Sequence, residues 1–330
     1  MTGIGGRISP YAFGLVEMTE ENTEFSIFNF QFLIHLFDLC GTIMTKGCEP
    51  VQGDCHIHML LDGRDWKAAI RRHSCGADIS FIRSALERYR DLGYTYLRDG
   101  GDRWGAGAAA RMLAPEYGIR YITPMAPICK EGHYGAFIGQ TFRDMRDFAR
   151  LVAERKMQGA DFIKIMISGL MDFNRYGCLT EEGLPPEEIR EMVHIAHSEG
   201  FAVMAHANGV RTLEAAADAG VDSVEHGAYP DSDALQAMVQ KNVVWVPTLS
   251  TVGNLRGKGR FDEKAVRAIF DRAVENVGLF VQLGGVVAPG TDAGAWAVEH
   301  GCCTEEAHLA LAGVDEAACR QGTAAIMEKF

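Results

Sequence analysis

Short apolar runs alternate with longer amphipathic runs from residue 51 to the end of the sequence. This alternation is typical of βα units, in which helices connect neighbouring parallel strands and cover the sheet. The predicted strands are residues 51–59, 94–98, 119–128, 161–168, 202–206, 223–226, 243–249 and 286–289. Helices are predicted at residues 78–92, 105–117, 142–157, 210–219, 233–240 and 262–283, and from residues 185 and 304 onward. Because no linker divides these units, we predict an α/β fold in which residues 51–330 form a (β/α)8 TIM barrel.

The N-terminal segment, residues 1–50, falls outside this pattern. Its apolar stretch at residues 25–44 is interrupted by Asn29, Gln31 and Asp38, and acidic residues precede it. A signal peptide would begin with basic residues, and a membrane span would need an uninterrupted apolar run. We expect this segment to cover an edge of the barrel, to form a residual cap, or to contact a second subunit in a homo-oligomer.

Charge and cysteine content exclude several classes of protein. The formal net charge is -12 and no long basic cluster is present, which argues against a nucleic-acid partner. The 9 cysteines are spread along the chain without a CxxC pair, which differs from a secreted disulfide framework. We therefore predict reduced thiols in a cytoplasmic protein that has neither nucleic acid nor a membrane as its partner.

Candidate metal ligands lie in or at the ends of the predicted strands. His56 and His58 are two residues apart in a strand, so both side chains face one side, as half of a divalent metal site would require. Further along the chain, the candidates are Lys164, His206, His226 and Asp292. Taken alone, His206 or His226 would be interpreted as a structural histidine, and Lys164 as a lysine in an ion pair. A buried lysine is costly unless it is paired or chemically altered, and one carboxylated by CO2 would become an anionic bridge between two metals. All six in order, on strands, favour the metal site.

These residues and their neighbours resemble the amidohydrolase superfamily of metal-dependent hydrolases. The resemblance covers residues 51 to about 300 and is carried by five short phrases, Asp54-Cys55-His56-Ile57-His58, Tyr96-Leu97-Arg98-Asp99-Gly100, Ala205-His206-Ala207, Glu225-His226-Gly227 and Gly290-Thr291-Asp292-Ala293-Gly294. It is closest to the branch that contains imidazolonepropionase-like proteins and the carboxylysine prolidases. That branch has a Gly-His-Gly-like phrase after its third strand, matched here around His133, and a tyrosine matched by Tyr229.

The resemblance implies a role for each candidate. His56, His58 and Asp292 would hold one metal ion, His206 and His226 a second, and carboxylated Lys164 would bridge the two. Zinc suits imidazole and carboxylate ligands, and a bridging hydroxide would be the nucleophile. Asp292 would transfer the proton to the leaving nitrogen. The substrate-binding residues His133 and Tyr229 would hold a carboxylate or carbonyl of the substrate.

We therefore predict an amidohydrolase that cleaves an amide or peptide-like C–N bond of a small carboxylate-bearing molecule, such as a dipeptide or an N-acyl amino acid. A lactonase or phosphotriesterase with the same binuclear site is an alternative, and a non-catalytic metal-binding barrel is another. Typical relatives carry a small β-sandwich built from both chain ends, which we expect to be reduced or absent here. The loops at residues 130–141 and 169–184 are expected to shape the pocket, with Arg175 and Tyr176 as candidate contacts.

Overall fold

The computed structural model describes residues 53–330. The expectations for residues 1–50 concern a part of the chain outside the described residues. The strands are β1 (Gly53–Ile57), β2 (Tyr96–Asp99), β3 (Arg120–Ile122), β4 (Ile128–Lys130), β5 (Gln140–Phe142), β6 (Ile163–Met166), β7 (Val203–Ala207), β8 (Ser223–His226) and β9 (Val244–Val246). The helices are α1 (Trp66–His73), α2 (Ile79–Asp91), α3 (Ala106–Leu113), α4 (Met145–Met157), α5 (Pro186–Ser198), α6 (Val210–Ala219), α7 (Ser232–Gln240), α8 (Ser250–Gly253), α9 (Glu263–Gln282), α10 (Thr304–Leu311) and α11 (Glu316–Lys329).

The strands pair in parallel throughout, as the βα alternation predicts. One sheet has the order β1-β2-β3, and the second has the order β5-β4-β6-β7-β8-β9. Every described strand belongs to one of these two sheets, so residues 53–330 contain no β-sandwich. The α/β class with parallel sheets is therefore confirmed.

The prediction of one closed eight-stranded sheet is not confirmed, because the two sheets stay separate. The predicted strand at residues 119–128 divides into β3 and β4, since Pro124 and Pro127 lie between them and proline cannot donate a ladder hydrogen bond. The predicted strand at residues 286–289 makes only an isolated parallel bridge to β9, at Trp245 and Val287.

Residues 286–293 nevertheless lie between the two sheets and bond to both. The Ala288 amide donates to the Trp245 carbonyl over 2.9 Å, on the side of β9. The Cys55 amide donates to the Pro289 carbonyl over 2.9 Å, on the side of β1. This segment therefore connects β9 of the second sheet to β1 of the first.

Helices on the outside of the sheets begin at well-defined caps. Six of them, α1, α2, α4, α7, α9 and α11, follow an aspartate whose carboxylate accepts backbone N–H groups of the first turn. In α2, Ile82, Leu86 and Tyr89 are buried at the i, i+4, i+7 spacing of an amphipathic helix. Within residues 53–330, no helix combines the length and apolar character needed to cross a membrane.

A shared interior core joins the two sheets below the strand ends. It contains Cys55, Tyr96 and Ile122 from the first sheet, and Met204, Val244 and Val246 from the second. Ala288 from the connecting segment packs into the same core. The strands of both sheets therefore enclose one packed interior, above which side chains at the strand ends can converge.

The cysteines are reduced with one exception among the described residues. The free thiols are Cys55, Cys75, Cys129, Cys178, Cys302 and Cys319. Cys303 is disulfide-bonded, so the expectation of reduced thiols throughout the chain is wrong at that position.

Candidate metal centre and active-site cavity

Three of the predicted ligands converge at the end of β1. The His56 and His58 Nε2 atoms are 3.4 Å apart, and each lies 3.6 Å from Oδ1 of Asp292. All three residues are buried. Ligand atoms that bind one zinc ion tetrahedrally at about 2.0–2.1 Å are about 3.4 Å apart, so these spacings suit a shared ion. Asp292 Oδ1 and His58 Nδ1 also have no hydrogen-bond partner within the described residues.

Asp292 is held in place by contacts from β1. The Asp54 carboxylate accepts hydrogen bonds from the Thr291 amide over 2.9 Å and from the Thr291 hydroxyl over 2.6 Å. The Asp292 amide donates to the His56 carbonyl over 2.7 Å. Gly290 leaves no room for a side chain, because a Cβ there would lie 2.9 Å from the His56 Cβ. The turn that carries Asp292 is therefore fixed against the strand that carries the two histidines.

The other three candidates surround the same space. The His206 and His226 ring centroids are 4.6 Å apart, and the His226 ring is 5.1 Å from that of His56. His226 Nδ1 is 2.7 Å from the Thr248 hydroxyl, which leaves its Nε2 for an ion. Lys164 on β6 is fully buried, and its Nζ atom has no hydrogen-bond partner among the described residues. An unpartnered buried amine suits a lysine that is chemically altered.

Backbone conformation is unusual at these positions. His226, Thr248 and Asp292 all have positive φ angles, of 66°, 49° and 57°. Non-glycine residues adopt this left-handed conformation rarely, and each instance costs on the order of 1–3 kcal/mol. Such strain tends to cluster at functional sites, where the surrounding structure imposes it.

Burial keeps the imidazoles neutral, which is the form that binds a metal ion. Removal from water, followed by repulsion from Lys164, lowers the pKa of His58 and of His206 to about 3. Burial also lowers the pKa of Lys164 and raises that of Asp292, because each charged form loses its hydration.

A fully buried ionic network lies behind His56. The His56 Nδ1 atom is 2.6 Å from Oε2 of Glu225, and Arg98 Nη2 donates to Oε1 of the same carboxylate over 2.8 Å. The Ser223 hydroxyl donates to Oε1 over 2.5 Å and accepts from Arg98 Nη1 over 2.9 Å. Arg98 Nε donates to the Cys55 carbonyl over 2.7 Å. A carboxylate on Nδ1 fixes the tautomer that leaves Nε2 free for a metal.

An aromatic-rich cavity of about 420 Å³ opens from the candidate ligands. Its lining includes His58, Lys164, His206, His226 and Asp292. Aliphatic and aromatic side chains form most of the remaining wall, namely Leu61, Trp66, Tyr134, Phe137, Ile138, Met166, Leu170, Met171, Phe173, Leu255, Phe261 and Trp296. The loops at residues 130–141 and 169–184 both contribute, so the expectation that they shape the pocket is confirmed.

Comparison with known proteins agrees with the predicted superfamily. No family model matches the chain. Ochratoxinase from Aspergillus niger is 25% identical over 286 residues, which cover 74% of this chain and 57% of that protein. An uncharacterized protein from Mycobacterium tuberculosis is 27% identical over 227 residues, which cover 67% of this chain and 59% of its own length. The chain thus spans a little over half the length of these curated relatives.

Solved structures share the fold. A Xaa-Pro dipeptidase with methionine bound in its active site superimposes with a TM-score of 0.70 and 20% identity, over 85% of this chain and 75% of that one. The A. niger ochratoxinase structure gives a TM-score of 0.69 and 20% identity, over 85% of this chain and 71% of that one. The chain therefore shares the fold of these structures, and the predicted resemblance to the amidohydrolase superfamily is confirmed.

Two residues that the superfamily resemblance suggested as substrate contacts lie elsewhere. Neither His133 nor Tyr229 is among the residues that line the main cavity. His133 Nδ1 lies 3.7 Å from Oε2 of Glu181. The Tyr229 ring packs 5.6 Å from that of Tyr176 and lines a small neighbouring cavity, which shares Met171 and His226 with the main one. Tyr134 lines the main cavity instead, with its ring 4.9 Å from that of His206.

Three residues of this site have no role in the prediction from the sequence. Arg98 and Glu225 lie in phrases that carry the resemblance, and a charge inside each buried strand was the signal that could have identified them. The third is Arg260, which lines the cavity. Arg175 and Tyr176, suggested as contacts, are absent from the cavity lining, and Arg175 pairs with Asp172.

Proposed function

We propose that this protein is a metal-dependent hydrolase that cleaves an amide or peptide-like C–N bond of a small carboxylate-bearing substrate, such as a dipeptide or an N-acyl amino acid. One observation carries the proposal. Asp292 has an unpartnered carboxylate oxygen 3.6 Å from two buried imidazoles, at the inner end of a cavity large enough for such a molecule.

Several relatives support this class of substrate. The similar solved structures include the Xaa-Pro dipeptidase with methionine in its active site and a prolidase complexed with N-methylphosphonate-L-proline. Both bound molecules carry an amino-acid or imino-acid portion. We propose that the cavity of this chain likewise binds the amino-acid portion of the substrate beside the candidate metal ligands.

The residues present suit the metal ions that the superfamily implies. His56, His58 and Asp292 would hold one ion, His206 and His226 would hold a second, and Lys164 carboxylated by CO2 would bridge them. The unpartnered Nζ of Lys164 and Oδ1 of Asp292 support this assignment. Zinc ions bound here would supply an acidified hydroxide nucleophile and polarise the scissile carbonyl.

The side chains of the protein would divide the remaining work. Asp292 would accept the proton of the nucleophile and return it to the leaving nitrogen, which is the general acid–base role. Glu225 would hold His56 in one tautomer through Nδ1. The apolar cavity wall would exclude bulk water from the reacting bond.

A hydrolysis screen tests the proposal. Protein produced with zinc and bicarbonate is assayed against dipeptides, N-acyl amino acids, lactones and phosphotriesters, beside an Asp292→Asn variant prepared in parallel. We expect turnover of an amide by the parent protein alone. Turnover restricted to lactones or phosphotriesters would replace the amide assignment, and inactivity of a metal-loaded parent on all four classes would support a binding protein.

A further inference from the structure

Two runs of contacting aromatic rings line the cavity. In the first, Trp66 contacts Phe137 at 5.5 Å between ring centroids, and Phe137 contacts Tyr134 at 5.7 Å. Tyr134 then contacts His206 at 4.9 Å. This run therefore connects Trp66, which is partly exposed, to one of the candidate metal ligands.

The second run carries a cation. Phe173 contacts Phe261 at 5.2 Å, and Phe261 meets Trp296 edge-on at 6.2 Å. The guanidinium of Arg260 lies 4.3 Å from the centroid of the Trp296 ring. A guanidinium that lies over an aromatic ring keeps its N–H donors free at its planar edge, and that edge matches a carboxylate with two parallel hydrogen bonds.

The two arginines that line the cavity differ in their partners. Arg64 is already paired with Glu299 through two hydrogen bonds of 2.8 Å, from Nε and from Nη2. Arg260 forms no ion pair with any carboxylate of the described residues, and its guanidinium lies over the Phe261 and Trp296 rings. Of the two, Arg260 thus keeps its charge available to a molecule in the cavity.

We propose that Arg260 is the specificity-determining residue that binds the carboxylate of the substrate, with the aromatic rings holding an apolar or aromatic side chain next to it. This inference rests on the proposed function and narrows its substrate class to amides that join a free carboxylate to a bulky apolar group. It gives Arg260 the role that the superfamily resemblance suggested for His133 and Tyr229, which lie outside the cavity lining.

The kinetic test compares a carboxylate with its neutral counterpart. The probes are N-acetyl-L-phenylalanine and N-acetyl-L-phenylalaninamide, which share the acetyl–nitrogen bond that the zinc-loaded protein is expected to cleave. We expect the parent to prefer the acid by about 10-fold or more in kcat/KM, since a charge-assisted hydrogen bond contributes about 1.5–3 kcal/mol. Arg260→Gln should remove that preference through KM, with the rate for the amide within about 2-fold of the parent.

Matched variants distinguish carboxylate binding by Arg260 from the general effect of a substitution in or near the cavity. Arg64→Gln removes the other cavity arginine, whose charge is already paired, and should leave the acid-to-amide preference unchanged. Arg260→Lys should restore part of the preference, because lysine keeps the charge but lacks the two-pronged geometry. His133→Gln and Tyr229→Phe should leave the preference as in the parent. If either of these abolished it while Arg260→Gln did not, the subsite would be wrongly assigned.

A binding measurement distinguishes failure of the subsite from failure of the proposed function. Calorimetric titration of N-acetyl-L-phenylalanine is performed on zinc-loaded parent, on Asp292→Asn and on Asp292→Asn combined with Arg260→Gln. Binding that weakens about 10-fold or more with the loss of Arg260 supports the subsite even when the parent shows no turnover. Binding that does not depend on Arg260 overturns the subsite and leaves the hydrolase proposal standing wherever the parent turns over amides.

Discussion

The charged residues of two regions have different kinds of partner. The first region is the buried network behind His56, and the second is the mouth of the cavity, formed by Arg260 and the rings of Phe261 and Trp296. Arg98 and Glu225 are fully buried, and both carboxylate oxygens of Glu225 are bound within the protein. Arg260 is exposed at the cavity wall, with aromatic rings rather than carboxylates around it. The difference indicates that the buried network sets the geometry of the candidate metal ligands whatever the substrate. At the mouth, in contrast, the substrate carboxylate would supply the missing partner of Arg260.

The largest effect is expected at Lys164, which lines the cavity beside the candidate ligands. Lys164→Ala removes the proposed bridge, so metal content should fall from about two ions to one or fewer and turnover should be lost. Short carboxylic acids should restore part of both by occupying the vacated position. Elemental analysis and steady-state assays check this, and an unchanged metal content with full turnover would remove Lys164 from the site.

Asp292→Asn should separate metal binding from chemistry. The amide keeps an oxygen for the ion but cannot accept and return a proton, so turnover should fall by about 10²–10⁴-fold while metal is largely retained. Asparagine also tolerates the left-handed backbone conformation at this position. Thermal melting beside the assays controls for folding, and near-parental turnover would show that the proton is transferred by another group.

Glu225→Gln tests the buried network directly. Loss of the anion behind His56 should weaken zinc binding by about 10–100-fold. The rates for the acid and the amide substrate should fall by factors equal to each other, so that the preference between them is unchanged. The variant also leaves the buried Arg98 charge without its partner, so a loss of about 3–5 kcal/mol in unfolding free energy is expected. Ser223→Ala, which keeps both charges, is the milder control. A change in the acid-to-amide preference would contradict the division between network and mouth.

A smaller effect is expected from His300, which lies in neither region. Burial lowers its pKa to about 4, while its ring bonds to the Leu61 carbonyl and the Tyr89 hydroxyl. Below pH 6.5 the unfolded chain gains a proton that the folded protein excludes, so this group lowers stability as pH falls from 6.5 to 4, by about 1.4 kcal/mol per pH unit at most. Urea unfolding of metal-free parent and His300→Gln should show a difference that shrinks across this window, and a constant difference would contradict the assignment.

Local patterns predicted much of the fold. The helix at residues 210–219 and the strand at residues 223–226 have the bounds expected from the sequence, and α2 differs by one residue at each end from its prediction at residues 78–92. Helix α1, of 8 residues, and strand β5, of 3 residues, were missed because each is short. The predicted strand at residues 286–289 was wrong because proline and glycine end its pairing, and local hydrophobicity alone does not report that.

The candidate ligands could be predicted because each lies within an apolar run or closes one, and parallel strands bring such positions to one edge. The loop residues could not be predicted in this way. Tyr134, rather than His133, lies on the cavity wall. The Tyr134 amide donates a hydrogen bond to Glu181, which belongs to a loop distant in sequence. Likewise, the link between Arg98 and Glu225 spans 127 positions and carries no local signal.

The connection between residues 286–293 and β1 has a consequence for the order of events during folding. The Asp54–Thr291 hydrogen bonds join residues 237 positions apart, and they position Asp292 beside His56. Closing so long a loop is slow, so the three-ligand cluster forms only after residues 286–293 have docked on β1. Uptake of a zinc ion at this cluster would therefore follow that docking step, and its time course after dilution from denaturant would report when the two segments meet.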